Sequence, residues 1–345
     1  MMKFISTSLF LIVFSSVYSQ KRALDSLQKI GVCDLKGFCI STIKNNIRPK
    51  GFSIIQQRVI DYNLRTQFKD SNWVDEREIR RNKSIEIKAK IPILLKENYN
   101  FIIGLNYRVE EFSFSDPDKL SNELHKYLED RDLKSVGATF YLDRKFKGRH
   151  FLYGRAGVFL NGSFNKGRAT DYLRSSLTVL YGTKVDGSKV WGIGLSYSYR
   201  FGRLALYPIL HYNKQFNKKW GFEMALPVKT EFRYQLNDKN IFYLTNRLGG
   251  ENYVLDASQL SRNKLFLGKS HFLSFLTYER EIYDFLWLSF SAGAQVNINF
   301  DLETKNRLAN NKEEPFIDNR LDPAPMIRFG LFLVPPKRFY SKLSH

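Results

Sequence analysis

The sequence predicts an all-β chain: an up-and-down antiparallel transmembrane β-barrel of about fourteen strands, with twelve as the smaller alternative. Three observations carry that expectation. Apolar and polar residues alternate over long segments, short and long connections take turns along the chain, and the N-terminus has the anatomy of an export signal.

The chain opens "MMKFISTSLFLIVFSSVYSQ", with basic Lys3, an apolar core from Phe4 to Phe14, and Val17 and Ser19 at the spacing of a cleavage site. A membrane helix needs about 20 apolar residues, so residues 1–19 read as a signal peptide and the mature chain is expected to begin at Gln20. Residues 20–50 then form an N-terminal segment on the periplasmic side. It contains "CDLKGFC", where Cys33 and Cys39 are expected to be a local disulfide, the default for cysteines in an exported protein. The barrel is assigned to 51–334 and a C-terminal tail to 335–345. No later apolar run escapes interruption by charges or turn residues, which excludes a second kind of membrane span, the helix.

Within the barrel, strands are expected at 52–68, 84–95, 99–112, 133–144, 150–164, 173–184, 190–201, 204–213, 220–226, 230–236, 240–249, 270–281, 285–300 and 325–333. Successive side chains of a strand point to opposite faces. "SIEIKAKI" thereby sets Ile85, Ile87, Ala89 and Ile91 against Glu86, Lys88 and Lys90. "WGIGLSYSYRF" sets Trp191, Ile193, Leu195, Tyr197, Tyr199 and Phe201 against glycines, serines and Arg200. "IDYNLRTQF" sets Ile60, Tyr62, Leu64, Thr66 and Phe68 against Asp61, Asn63, Arg65 and Gln67. "LWLSFSAGAQVNINF" keeps the pattern from Leu286 to Phe300, with only Trp287 out of step.

Segments 96–98, 145–149, 185–189, 214–219, 237–239 and 282–284 read as short turns. Segments 69–83, 113–132, 165–172, 250–269 and 301–324 read as long polar loops, and "DEREIRRNK" and "NKEEP" as solvated charge within them. Only 202–203 and 227–229 break the rule. Short periplasmic turns alternating with longer outside loops mark an outer-membrane barrel.

A soluble sandwich or lipocalin-like barrel would bury the oily face instead. Its strands would be about 5–6 residues long. Most of those expected here exceed the ~9–11 residues that cross a bilayer at a tilt. The polar face also carries small residues (Gly192, Gly194, Ser196, Ser289, Gly293) that suit a crowded concave lumen. Aromatic residues near strand ends, including Tyr62, Phe68, Tyr107, Phe164, Tyr199, Phe201, Tyr212, Trp220, Tyr234 and Phe300, suit interfacial girdles. The oily face is therefore expected to meet lipid, in the cell outer membrane, after export through the inner membrane.

Residues 207–248 contain Tyr-Pro, Asn-Lys-Lys-Trp-Gly, Leu-Pro and Phe-Arg-Tyr before an Asn-Asp turn. This run resembles a family of Bacteroidota outer-membrane β-barrels of unknown function. The resemblance implies the barrel and its location, and brings no activity or functional residue.

Lys and Arg number 54 against 34 Asp and Glu. The basic residues are dispersed and no nucleic-acid motif accompanies them, so lipid headgroups or small anionic solutes are the expected partners and nucleic acid is not. No cofactor, metal or catalytic site is expected. His125, His150, His211, His271 and His345 have no metal-ligand spacing, and no Gly-x-Ser-x-Gly occurs. A hydrolase would need a Ser beside His150 or His211.

The candidate functional residues line the polar face: basic Arg65, Lys88, Lys90, Arg108, Arg155, Arg200, Arg233, Arg247 and Arg328, and acidic Asp61, Glu86, Glu110, Asp143, Glu223 and Glu231. Buried charges must be paired or hydrated. Their excess of Arg and Lys predicts a narrow or gated pore with a mild anion preference. The alternatives are a closed structural or assembly component braced by salt bridges and, last, a membrane-embedded hydrolase. The sequence leaves the oligomeric state open.

Overall fold

The computed structural model describes residues 50–68, 74–96, 98–120, 122–146, 148–164, 168–256, 264–304 and 315–334. The signal stretch, Cys33 and Cys39, and the tail 335–345 lie outside the described residues. The strands are β1 (Phe52–Phe68), β2 (Val74–Lys96), β3 (Tyr99–Phe114), β4 (Leu133–Lys145), β5 (His150–Gly162), β6 (Leu173–Lys184), β7 (Lys189–Ser198) and β8 (Ala205–Gln215). They continue with β9 (Trp220–Leu226), β10 (Lys229–Asn237), β11 (Asn240–Leu255), β12 (Leu265–Tyr283), β13 (Leu286–Glu303), β14 (Ile317–Leu321) and β15 (Ala324–Leu333).

From β1 to β13 each strand pairs antiparallel with the next. β14 and β15 are one stave interrupted at Asp322–Pro323, because both lie between β13 and β1. The sheet is thus a closed fourteen-stranded antiparallel barrel. Closure gives every strand two partners and leaves no open edge.

The outer surface has an apolar band. Ile193 and Leu195 are 57% and 55% exposed, and Leu105, Leu177, Leu206, Leu276, Ile298 and Phe329 are exposed around the same wall. Such a continuous apolar surface would be unstable in water and is what hydrocarbon requires. Ladder partners face the same side, so the residues between these point inward. Small inward residues make room for their neighbours: a Cβ on Gly182 would lie 2.4 Å from the Phe151 ring.

Above this band the pattern inverts. On β1, Ser53, Gln57 and Val59 point inward, and so do Tyr62, Leu64 and Thr66. The parity changes at Asp61, whose φ is 46°. On β2 the change falls at Arg80, where the register with β3 shifts. Beyond the switch the outward side chains are Asn63, Arg65, Gln67, Glu76 and Glu78, and the interior is an apolar core. The strands here project past the bilayer, where the solvent on the outer face is water.

This inversion corrects several expectations. "DEREIRRNK" is strand β2, not loop, with Ile79 fully buried. Residues 250–269 are mostly the projecting ends of β11 and β12. Tyr62 and Phe300 are buried inside rather than set in a lipid-facing girdle. Segment 113–132 contains a helix, α1 (Glu123–Asp130), capped by the Asn122 side chain accepting from Leu124 N–H at 2.9 Å. Its face Leu124, His125, Tyr127 and Leu128 enters the core formed by Phe112, Phe114, Leu133, Tyr253, Leu265, Phe300 and Leu302. No described helix is long and apolar enough to cross a membrane.

Candidate functional site

The lumen is layered. At the long-loop end lies the apolar cap just described. At the short-turn end Ile241, Tyr243, Trp287, Phe332 and Val334 form a second apolar cluster, and Phe151, Leu180, Val190, Tyr207 and Ile209 a third along β5–β8. Trp287, the one residue out of step in its strand, is inside because it stacks on Phe332 at 6.0 Å. Charge fills the layer between.

β2 and β3 set Glu86 opposite Arg108 and Ser84 opposite Glu110. Lys88 donates to Glu86 across 2.7 Å. Arg108 bridges Glu110 at 3.2 Å and Glu251 at 3.3 Å. Glu110 is almost fully buried and accepts from Asn82 at 2.9 Å and from the Lys269 ammonium. Lys90 and Arg155 both lie over the Tyr141 ring, 5.3 and 5.9 Å from its centre. Arg247 is within Coulomb reach of Glu86, Lys88, Arg200 and Arg328. Basic groups thus outnumber acidic ones here. Glu86, Lys88, Arg108 and Glu251 keep between 19% and 33% of their side-chain exposure while pointing inward, so the space among them admits water.

A second group lies along β9–β11. Lys229 bridges Glu223 at 3.1 Å and Glu231 at 3.3 Å. Glu231 also accepts from the Thr245 hydroxyl at 3.0 Å, and Arg233 donates to Gln215. Two candidates face the other way. Arg65 is exposed on the outer surface beyond the switch and pairs with Glu76 at 3.2 Å, and Asp61 lies at the switch itself. Their strand parity reverses at Asp61, so neither belongs to the lumen.

The connection between β7 and β8, residues 199–204, folds into the barrel instead of outward. Gly202, with φ of 79°, lies where a Cβ would approach Lys269 N at 3.0 Å on β12. Its carbonyl accepts from Asn252 Nδ2 at 3.1 Å. Arg203 bridges Glu303 at 2.5 Å and Asp301 at 4.0 Å. Gly250 on β11 touches this loop as well: a Cβ there would lie 2.1 Å from the Arg200 carbonyl. At the same level the non-neighbouring strands β5 and β11 meet at Gly162 and Val254. The barrel is constricted here.

Sequence reasoning missed Glu251, Lys269 and Arg203. Gly249 and Gly250 read as the end of a strand, although they are inside one: Gly249 yields to the His271 ring, 2.3 Å from its hypothetical Cβ. Had β11 been continued past them, Glu251 would have shared the inward parity of Arg247.

His150 stacks on Tyr181 at the barrel's turn end, 5.7 Å between rings. His211 is buried and no serine hydrogen-bonds to its ring nitrogens. Among the described residues no group of three His, Cys, Asp or Glu converges as a metal site.

The fold is similar to that of solved membrane barrels. The COG4313 outer membrane channel from Pseudomonas putida F1 aligns with a TM-score of 0.39 and 10% identity, over 85% of this chain and 100% of that one. The P. putida toluene transporter TodX aligns at 0.36 and 9%, over 84% and 90%. The translocator domain of the autotransporter NalP from Neisseria meningitidis aligns at 0.32 and 11%, over 84% and 90%. No curated protein matches the chain. The sequence profile of one family, "Domain of unknown function (DUF6268)", matches residues 54–333, nearly the whole barrel, and the chain belongs to that family.

Proposed function

We propose that this chain is an outer-membrane barrel that passes small anionic solutes through a gated lumen. The observation that carries the reading is the hydrated layer in which Lys88, Arg108, Arg155, Arg200, Arg247 and Arg328 face one another with few acids between them. Rings of Arg and Lys lower the cost of moving an anion through a narrow passage and raise it for a cation. The apolar outer band and the one-sided distribution of long connections support the outer membrane. Residues 199–204 are the gate in this reading, held by Asn252 on Gly202 and by Glu303 and Asp301 on Arg203.

A second reading is a closed-lumen structural or assembly component. The apolar clusters at both ends of the lumen favour it. Planar-bilayer recording separates the two. The gated pore predicts rare openings in the wild type and frequent ones in the double variant Arg203→Ala, Asn252→Ala. Silence from both proteins, with the variant correctly folded, would favour the closed component.

A further inference from the structure

The outer wall holds a cleft of about 540 Å³ at the level where its polarity inverts. Arg58, Arg80 and Arg81 line it, together with Asp61, Ser113 and an inner wall of Phe114. Its position follows from the backbone. A register shift at Arg80 leaves that residue without a ladder partner in β3, so Arg80 and Arg81 both project outward from consecutive positions. β-bulges re-aim side chains in this way. Arg58 faces outward from β1 three places before the matching irregularity at Asp61. Among the described residues none of the three guanidiniums is in a salt bridge. The neighbouring Lys83, opposite Arg58, is already engaged with Glu111 at 3.5 Å.

The level matters as much as the charge. On one side of the cleft the same strands show lipid Ile54, Leu105 and Tyr107; on the other they show water Asn63, Arg65 and Glu76. The cleft therefore opens at the boundary between hydrocarbon and water on the long-loop side, where headgroups lie. Arginine suits phosphate there because its planar fork donates two parallel hydrogen bonds and is more weakly hydrated than an ammonium.

We propose that Arg58, Arg80 and Arg81 form a binding site for the phosphate of an anionic lipid headgroup in the leaflet on the long-loop side. Asp61, in the same cleft, limits the net charge of the site. The site rests on the barrel spanning a bilayer and is independent of what the lumen passes.

Native mass spectrometry of the full barrel in a zwitterionic detergent, titrated with lipid A, reads occupancy directly. The triple variant Arg58→Gln, Arg80→Gln, Arg81→Gln should bind at least about tenfold more weakly, since each basic residue at an anionic surface contributes on the order of a several-fold gain. The corresponding triple Lys variant keeps the charge but loses the bidentate forks, and should bind with an affinity between those of the wild type and the triple Gln variant. Arg65→Gln with Arg320→Gln, on the water-facing shell, should change nothing. Undiminished affinity in a triple Gln variant that retains its folded-barrel gel mobility would overturn the proposal. So would displacement of bound lipid A by millimolar inorganic phosphate, which would mark a site for the free ion.

Discussion

Phe300 points into the barrel while Ile298, on the same strand and of the same parity, points at lipid: the first is 1% exposed and the second 59%. The pairing of β12 with β13 explains this. Ser270 lies opposite Asn299 but His271 opposite Asn297, so Ile298 has no partner and the strand changes face. The same change occurs on β1 at Asp61. Below the change the barrel turns an apolar face outward and its charged residues inward; above it, the outward face is polar and the interior is an apolar protein core.

Arginine substitutions should map that boundary. Leu195→Arg, in the apolar band, should cost about 2–4 kcal/mol, as charges do at mid-bilayer depth on the lipid face. Asn63→Arg, outward but beyond the switch, should lie within about 0.5 kcal/mol of wild type. Ala294→Leu adds apolar surface toward lipid and should be neutral or stabilising. Urea midpoints in lipid vesicles measure all three. A strong loss at Ala294→Leu would mean that this face is packed against protein.

The buried pair Glu110 and Lys269 supports a double-mutant cycle. Lys269→Met removes the ammonium but leaves Arg108 and Asn82 on Glu110, so it should cost about 1–3 kcal/mol. Adding Glu110→Gln should recover part of that loss, because Asn82 and Arg108 lose only an acceptor charge they share. A double variant as unstable as the sum of the singles would show that the two groups are uncoupled.

The cap should loosen in acid. His125 is fully buried, with its ring against Phe114, Nε2 at 2.8 Å from the Thr66 hydroxyl and Nδ1 at 3.3 Å from Asp75. Burial pushes its pKa down to about 4, with the Arg77 charge adding to this and Asp75 opposing it. Its folded pKa lies below the unfolded value near 6.5. The neutral ring therefore contributes stability that is complete above about pH 6.5 and is lost as pH falls to about 4, amounting to roughly 3 kcal/mol. Amide exchange in α1 should accelerate across that window in the wild type and not in His125→Gln. Equal pH dependence in both would contradict the assignment.

The strands, their closure and the outward apolar face were legible in the sequence because period-two alternation depends on the bilayer acting uniformly on one face. Glu86, Lys88, Arg108 and Glu110 could be grouped for the same reason. Arg65 could not be placed, because a single irregular residue, Asp61, reverses everything after it and local sequence does not announce a bulge. Helix α1 was hidden in a segment whose polar composition matches a loop: its four buried residues make sense only against β3 and the projecting strand ends. The short connection 202–203 broke the alternation of loop lengths, and the structure gives the reason. It is an inward fold, held by Asn252 and Glu303, whose partners lie far away in the chain.

The most direct test of the anion-conducting lumen is the reversal potential of the Arg203→Ala, Asn252→Ala barrel under a potassium chloride gradient. The account predicts a potential whose sign shows chloride to be the more permeant ion, moving toward cation selectivity when Arg247→Glu or Arg328→Glu is added. A cation-selective barrel, or a potential indifferent to both glutamates, would contradict it.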